Sequence, residues 1–240
     1  CTMLAYALPP VLLTVSIDRL LADLRRPAVR QAATASLESR IPPASPAYFA
    51  ALSRPHNRWM EGQRVREVWQ RTGRPFADFV CDLLVEEELA PLLILPWEGT
   101  AEEKEARLRD TLTHPCQMVA TDGIYVGRYA HPRAWGTYPR LLGQYVRERG
   151  WLSLEDAVRR MTGAPAGRFG LGDRGLLREG MAADLVLFDP ETVADRATFA
   201  SPRLAPTGIE QVVVNGVPVV RDGALTGARP GHLLRRLPGP

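Results

Sequence analysis

The residues best suited to chemistry lie between Thr121 and Arg133. The apolar run Gln117–Ala120 predicts a short strand, and Asp122 follows it directly with Gly123 behind. Ligands bind at the carboxyl ends of strands in parallel α/β folds, so Asp122 is a candidate catalytic carboxylate. A neighbouring glycine would let backbone or substrate approach closely. The same Asp-Gly pair is also typical of a plain turn, and position alone favours the turn.

Two further polar residues follow in the next stretch of the chain. An arginine can grip a carboxylate with two parallel hydrogen bonds, so Arg133 is a candidate for binding an acidic group of a substrate. His131 could bind a metal or move a proton, although a lone histidine is more often structural. The remaining histidines have no histidine partner at a spacing of two, three or four, and neither HxH nor HExxH occurs. A complete histidine-based metal site is therefore not predicted.

The composition is that of an ordinary globular protein. Of the 240 residues, 45% are hydrophobic and 24% charged, and no apolar run approaches the length of a membrane span. The net charge of +3 comes from basic residues interspersed with acids, so neither nucleic acid nor membrane is predicted as a partner. The 3 cysteines are far apart, which is typical of a reducing cytoplasm.

Hydrophobic spacing and capping residues predict a helix-rich part up to about residue 163. Ile41–Pro55, which holds four prolines, is predicted to be a loop, and Leu92–Leu95 a buried strand. Thr100 and Glu103 form the pattern of a capping box. The predicted helices are Ser16–Leu24, Pro27–Glu38, Arg64–Arg71, Pro75–Leu89, Thr100–Leu112, a helix after Pro139 to about Arg149, and one that follows Ser153.

Beyond Gly163 the pattern changes to strands separated by glycine-rich turns. Asp184–Asp189 is a compact apolar run. Two valine-rich runs flank Asn215-Gly216, which predicts a hairpin over Gln211–Val220. Pro218 places the second strand of that hairpin at an edge or a bulge.

The sequence TDG at 121–123, followed by HPRAWGTYPR at 131–140, resembles the SDG…HPR.YGT.PR signature of N-acyl-D-amino-acid deacylases in the amidohydrolase superfamily. Thr121 keeps the hydroxyl of the usual serine, and Trp135 keeps an aromatic ring in the loop. The tail, from SLEDAVRRM through GMAADLVLFD to VVVNG, is similar to the same family. So are the upstream segments LLADLRRPAVR and HNRWMEGQ.

The resemblance implies an α/β fold: the C-terminal part of a (β/α)8 barrel with a helical insertion, followed by part of a small β-sandwich. The barrel part would cover residues 1–163, with a lid-like insertion at about 28–112, and the sandwich part residues 164–240. The N-terminal half of the barrel, with most of the metal ligands, is expected upstream of Cys1.

The chemistry implied by the resemblance is hydrolysis of an N-acyl-D-amino acid by a zinc-activated water. Asp122 would transfer the proton and could also bind the metal, while Arg133 would hold the substrate carboxylate. Thr121, Gly123 and His131 are further candidate site residues. Zinc is not expected to bind this chain tightly, and the chain alone is expected to be inactive. The alternatives are a cyclic amidase of the dihydroorotase or hydantoinase kind and a non-catalytic remnant.

Overall fold

The computed structural model describes residues 2–95 and 99–234. These residues form two compact units. The first unit contains the described residues up to 95 together with Ile124–His131. The second unit contains Gly99–Gly123 and the described residues from Pro132 onward. The chain therefore leaves the second unit after Gly123, contributes one short segment to the first, and returns.

The first unit combines short helices with a small antiparallel sheet. Its sheet contains β1 (Thr2–Met3), β2 (Tyr48–Ala51) and β3 (Leu92–Ile94) in the order β1-β3-β2, and both strand pairs are antiparallel. Ser16 caps the first helix, accepting a hydrogen bond from the Arg19 amide, which confirms that prediction. The predicted loop Ile41–Pro55 was partly wrong, because β2 lies within it. The α-helices are α1 (Ile17–Asp23), α2 (Pro27–Arg40), α3 (Val65–Gln70) and α4 (Phe76–Glu86); 3-10 turns cover Leu4–Ala7, Pro10–Thr14 and Pro55–Met60.

The core of the first unit is built around α4. Its side chains Phe79, Val80, Leu83 and Leu84 recur at helical spacing and are all buried. Arg30 of α2 forms ion pairs with Asp78 and Asp82 of α4, at 3.4 and 2.5 Å. Apolar burial and these ion pairs together hold α2 against α4.

A fully buried carboxylate organises the turn that precedes Pro55–Met60. Glu87 has no exposed surface. It accepts hydrogen bonds from the Ser53 amide and hydroxyl at 2.5 and 2.6 Å, from the Arg54 amide at 3.1 Å and from Asn57 Nδ2 at 2.8 Å. Burial alone would raise the pKa of Glu87, but the hydrogen bonds from Ser53, Asn57 and Arg54 outweigh it and hold the pKa below its ordinary value.

The second unit begins with helices. The capping box of Thr100 and Glu103 has both of its hydrogen bonds, as predicted. Helix α6 (Arg133–Arg140) begins seven residues before the predicted start, and Pro139 lies inside it. The helix continues as a π-helical segment, Leu141–Glu148. The helices are α5 (Ala101–Thr113), α6 (Arg133–Arg140), α7 (Leu154–Met161) and α8 (Gly163–Phe169).

A four-stranded antiparallel sheet follows, in the order β4-β5-β6-β7. The predicted hairpin is confirmed: β5 and β6 pair around Asn215 and Gly216, whose φ values of +47° and +78° are those of a type I′ turn. The register shifts between Val212 and Val213, opposite Pro218, so the predicted bulge is also present. The strands are β4 (Leu185–Phe188), β5 (Ile209–Val214), β6 (Val217–Arg221) and β7 (Ala224–Leu225).

The predicted strand at Gln117–Ala120 was wrong. No ladder forms there, and the Val119 amide donates instead to the carbonyl of Arg160 at 3.1 Å. A strand needs a neighbouring strand for its backbone groups, and the described residues offer it none. All strand pairs in the described part of the chain are antiparallel, and its second unit supplies one sheet, so barrel and sandwich remain inferences.

Within the described residues, no helix has the length and apolar character needed to cross a membrane.

Replacing Glu87 by Gln should destabilise the first unit at neutral pH by about 1–3 kcal/mol, because buried donors lose a charged acceptor. The folded pKa is depressed, so the stabilisation is present above the ordinary value of 4.5 and is lost as pH falls through the folded pKa. Urea unfolding should therefore show a lower free energy of unfolding for Glu87→Gln than for wild type at pH 7, and this difference should narrow below about pH 4.5. Glu88→Gln, at an exposed neighbouring position, is the matched control. A gap that does not depend on pH would contradict this explanation.

Candidate active site

A buried arginine fixes the path of the chain toward Asp122. The Arg160 side chain is 4% exposed. Its Nη1 donates to the carbonyls of Leu112, His114 and Gln117 at 3.1, 2.5 and 3.3 Å. These carbonyls belong to the end of α5 and the segment after it, where helical partners are missing. Arg160 thus satisfies them and holds the backbone that leads to the candidate site.

Thr121, Asp122 and Gly123 form a tight turn. The Gly123 amide donates to Thr121 Oγ1 at 3.1 Å, which accounts for the hydroxyl at position 121. Asp122 has a φ of +45°, a left-handed conformation that aspartate tolerates better than most residues. Its side chain is 77% exposed. The sequence allowed either a strand end or a turn here, and the structure has the turn.

Arg133 is the first residue of α6 and contacts this turn at two points. Its Nε donates to the backbone carbonyl of Asp122 at 3.0 Å. Its Nη2 lies 2.5 Å from Oδ2 of the Asp122 carboxylate. The Arg133 side chain is 27% exposed, against 77% for Asp122. The fold therefore brings together the two residues that the sequence singled out. One guanidinium contacts both the backbone carbonyl and the carboxylate of Asp122.

His131 is the fifth candidate residue. It is half-buried and belongs to the first unit, whereas Thr121, Asp122, Gly123 and Arg133 all belong to the second. The contacts within the second unit therefore join four of the five candidate residues and leave His131 outside them.

Asp195, which was not among the predicted site residues, contacts the helix that carries the signature. The carboxylate of Asp195, whose side chain is 7% exposed, packs so closely on α6 that a Cβ at Gly136 would overlap it. Arg140 Nε donates to Asp195 Oδ2 at 2.7 Å, and the Ala197 amide donates to Oδ1 at 2.8 Å. Gly136 and Arg140 are one helical turn apart, so that spacing was the available signal for a shared partner.

No group of three or more histidine, cysteine, aspartate or glutamate side chains that could hold a metal ion occurs among the described residues. A zinc site needs three or four convergent ligands. The residues that the structure describes do not fit such a site by themselves, and Asp122 is engaged by Arg133 instead.

Residues 67–220 match the Amidohydro_3 model, an amidohydrolase family. Three proteins of Alcaligenes xylosoxydans xylosoxydans are similar in sequence. An N-acyl-D-glutamate deacylase is 50% identical over 132 residues, 55% of this chain and 27% of that protein. A D-aminoacylase is 51% identical over 119 residues, 50% and 25% of the two chains. An N-acyl-D-aspartate deacylase is 42% identical over 167 residues, 69% and 33%. The chain thus spans a quarter to a third of the length of these relatives.

Solved structures of the same kind resemble the fold. A D-aminoacylase variant in complex with copper chloride superimposes with a TM-score of 0.68 at 35% identity, over 79% of this chain and 38% of that one. The N-acyl-D-glutamate deacylase of Bordetella bronchiseptica, complexed with zinc and a phosphonate inhibitor, gives 0.64 at 37% identity, over 75% and 36%. The family match covers more than half of the chain. This protein therefore belongs to the amidohydrolase family, in its D-aminoacylase group.

Proposed function

We propose that this chain is part of an enzyme that hydrolyses the amide bond of N-acyl-D-amino acids, giving a D-amino acid and a carboxylate. The observation that carries the proposal is the two-point contact of Arg133 with Asp122, in a chain whose relatives bear deacylase names. It pairs a group able to move a proton with a group able to hold a substrate carboxylate.

Arg133 is the proposed anchor for the α-carboxylate of the substrate. A guanidinium binds any carboxylate of suitable geometry, and without substrate it holds the carboxylate of Asp122. Substrate binding would then be an exchange of partners, in which the substrate carboxylate takes the place of the Asp122 side chain. The high exposure of Asp122 supports this exchange, because its side chain can leave Arg133 without crossing packed residues.

Asp122, once released, is the proposed proton-transfer group. It would remove a proton from the attacking water as the water oxygen bonds to the amide carbonyl carbon. It would then return that proton to the amide nitrogen as the carbon–nitrogen bond breaks. The amine leaves as the free amino acid, and no proton is gained or lost overall.

The remaining assignments concern the whole protein. We propose that its metal ion is zinc, that its ligands come mainly from a missing N-terminal half of a (β/α)8 barrel, and that Asp122 could contribute one. Residues 1–163 would complete that barrel, with about 28–112 as a lid, and 164–240 would belong to a β-sandwich. Thr121 and Gly123 would shape the turn under Asp122, while a role for His131 stays a prediction.

Replacing Asp122 by Asn in the whole enzyme should lower kcat by about 10²–10⁴-fold, because an amide cannot accept the proton of the attacking water. Steady-state kinetics with N-acetyl-D-amino acids will measure this. Asp110→Asn, at an exposed position on α5, is the matched control and should leave kcat unchanged. A near-normal kcat for Asp122→Asn would contradict the assignment. Turnover of cyclic ureides in place of N-acyl-D-amino acids would favour the cyclic amidase alternative.

The purified 240-residue chain should bind zinc with a dissociation constant above about 1 µM, because its described residues supply no cluster of three ligands. It should also lack deacylase activity. Competition with a chromophoric chelator measures the affinity, and a His131→Ala variant tests whether that histidine contributes. Stoichiometric zinc that survives gel filtration would contradict the expectation.

A further inference from the structure

The segment Ile124–His131 connects the Asp122 turn to the start of α6, yet it packs within the first unit. We call this segment the strap. One end of the strap follows Gly123 directly, and the other end precedes Pro132, the residue before Arg133. The strap is therefore continuous in the chain with both ends of the proposed site.

One carboxylate ties the strap to the first unit. Oε2 of Glu61 accepts a hydrogen bond from the Arg128 amide of the strap at 2.8 Å. Oε1 of the same side chain accepts one from the Leu52 amide, just after β2, at 2.9 Å. Each bond has a charged acceptor and is therefore stronger than an ordinary amide contact. The two oxygens of Glu61 thus bridge two backbone segments 76 residues apart in sequence.

The strap also fits the surface it lies on. Gly127 has a φ of +79°, and a Cβ there would lie 2.5 Å from the Ala50 carbonyl oxygen. The Tyr129 ring covers Gly62, where a Cβ would lie 2.9 Å from a ring carbon, and it contacts the Tyr48 ring at a centroid distance of 6.0 Å. This close fit, with no room for larger side chains, means that the Glu61 bridge fixes one position of the strap.

We propose that Glu61 is a positioning residue for the deacylase reaction. It never touches substrate in this account. It fixes the strap, and the strap restrains the Asp122 turn at one end and the Arg133 helix start at the other. This inference rests on the proposed function for its effect on catalysis, but the attachment of the strap is a property of the chain itself.

Hydrogen exchange on the purified chain tests the attachment independently of any activity. In Glu61→Gln and Glu61→Ala the Arg128 amide should exchange about ten- to a hundredfold faster, because it loses a charged acceptor. Glu67→Gln removes the same charge from an exposed position on α3 of the same unit and is the control. Unchanged exchange of Arg128 in both Glu61 variants would overturn the proposal, whether or not the whole protein is a deacylase.

Kinetics of the whole enzyme test the positioning. Glu61→Gln should lower kcat/KM about tenfold when Arg133 is present and by a clearly smaller factor, about two- to fivefold, in an Arg133→Ala background, since part of the positioning acts through Arg133 and the rest through Asp122. A general loss of stability would lower kcat/KM equally in both backgrounds, and that result would overturn the positioning role. An enzyme without any deacylase activity would contradict the proposed function, and the exchange result alone would then decide whether Glu61 holds the strap.

Discussion

The contact between Arg133 and Asp122 is the interaction on which the candidate site depends. Asp122 adopts a left-handed backbone conformation, which costs roughly 1–2 kcal/mol for a residue with a Cβ. The Arg133 guanidinium offsets part of that cost by binding the Asp122 carbonyl and carboxylate together. The contact also closes the loop between the turn and α6, so that the strap runs between two fixed ends.

The buried Arg160 and the closely packed Gly136 stabilise the backbone on either side of this contact. Arg160 donates hydrogen bonds to three carbonyls at and beyond the end of α5, and so it fixes the backbone that leads to the turn. Gly136 and Arg140 bind Asp195 against α6, which anchors the helix that carries Arg133. The residues of the signature that the sequence suggested for catalysis therefore fall into two groups. The first positions hold the candidate chemistry, and the later positions hold the helix in place.

Local signals in the sequence predicted most elements because their causes are local. Thr100 with Glu103 and Asn215 with Gly216 satisfy or shape the backbone within a few residues, so capping and turn rules suffice. The strand expected at Gln117–Ala120 failed because strand formation depends on a distant partner, and Arg160 takes its backbone groups instead. The partnership of Asp122 and Arg133 could be suspected from spacing. The spacing of Gly136 and Arg140 could suggest a shared partner, but the sequence could not identify Asp195 as that partner or Glu61 as the partner of Arg128, since each lies in a remote part of the chain.

If Arg133 exchanges the Asp122 carboxylate for that of the substrate, its removal should affect only substrates that carry a carboxylate. The most direct measurement compares kcat/KM of wild-type and Arg133→Ala whole enzyme on an N-acyl-D-amino acid and on the matching N-acyl amine, which lacks the carboxylate. We expect a loss of about 10–100-fold on the acid and little loss on the amine, because only the acid forms the charged pair. Arg133→Lys should recover little, since an ammonium makes no two-point contact. Equal losses on both substrates would mean that Arg133 does not bind the substrate carboxylate, and would contradict the account.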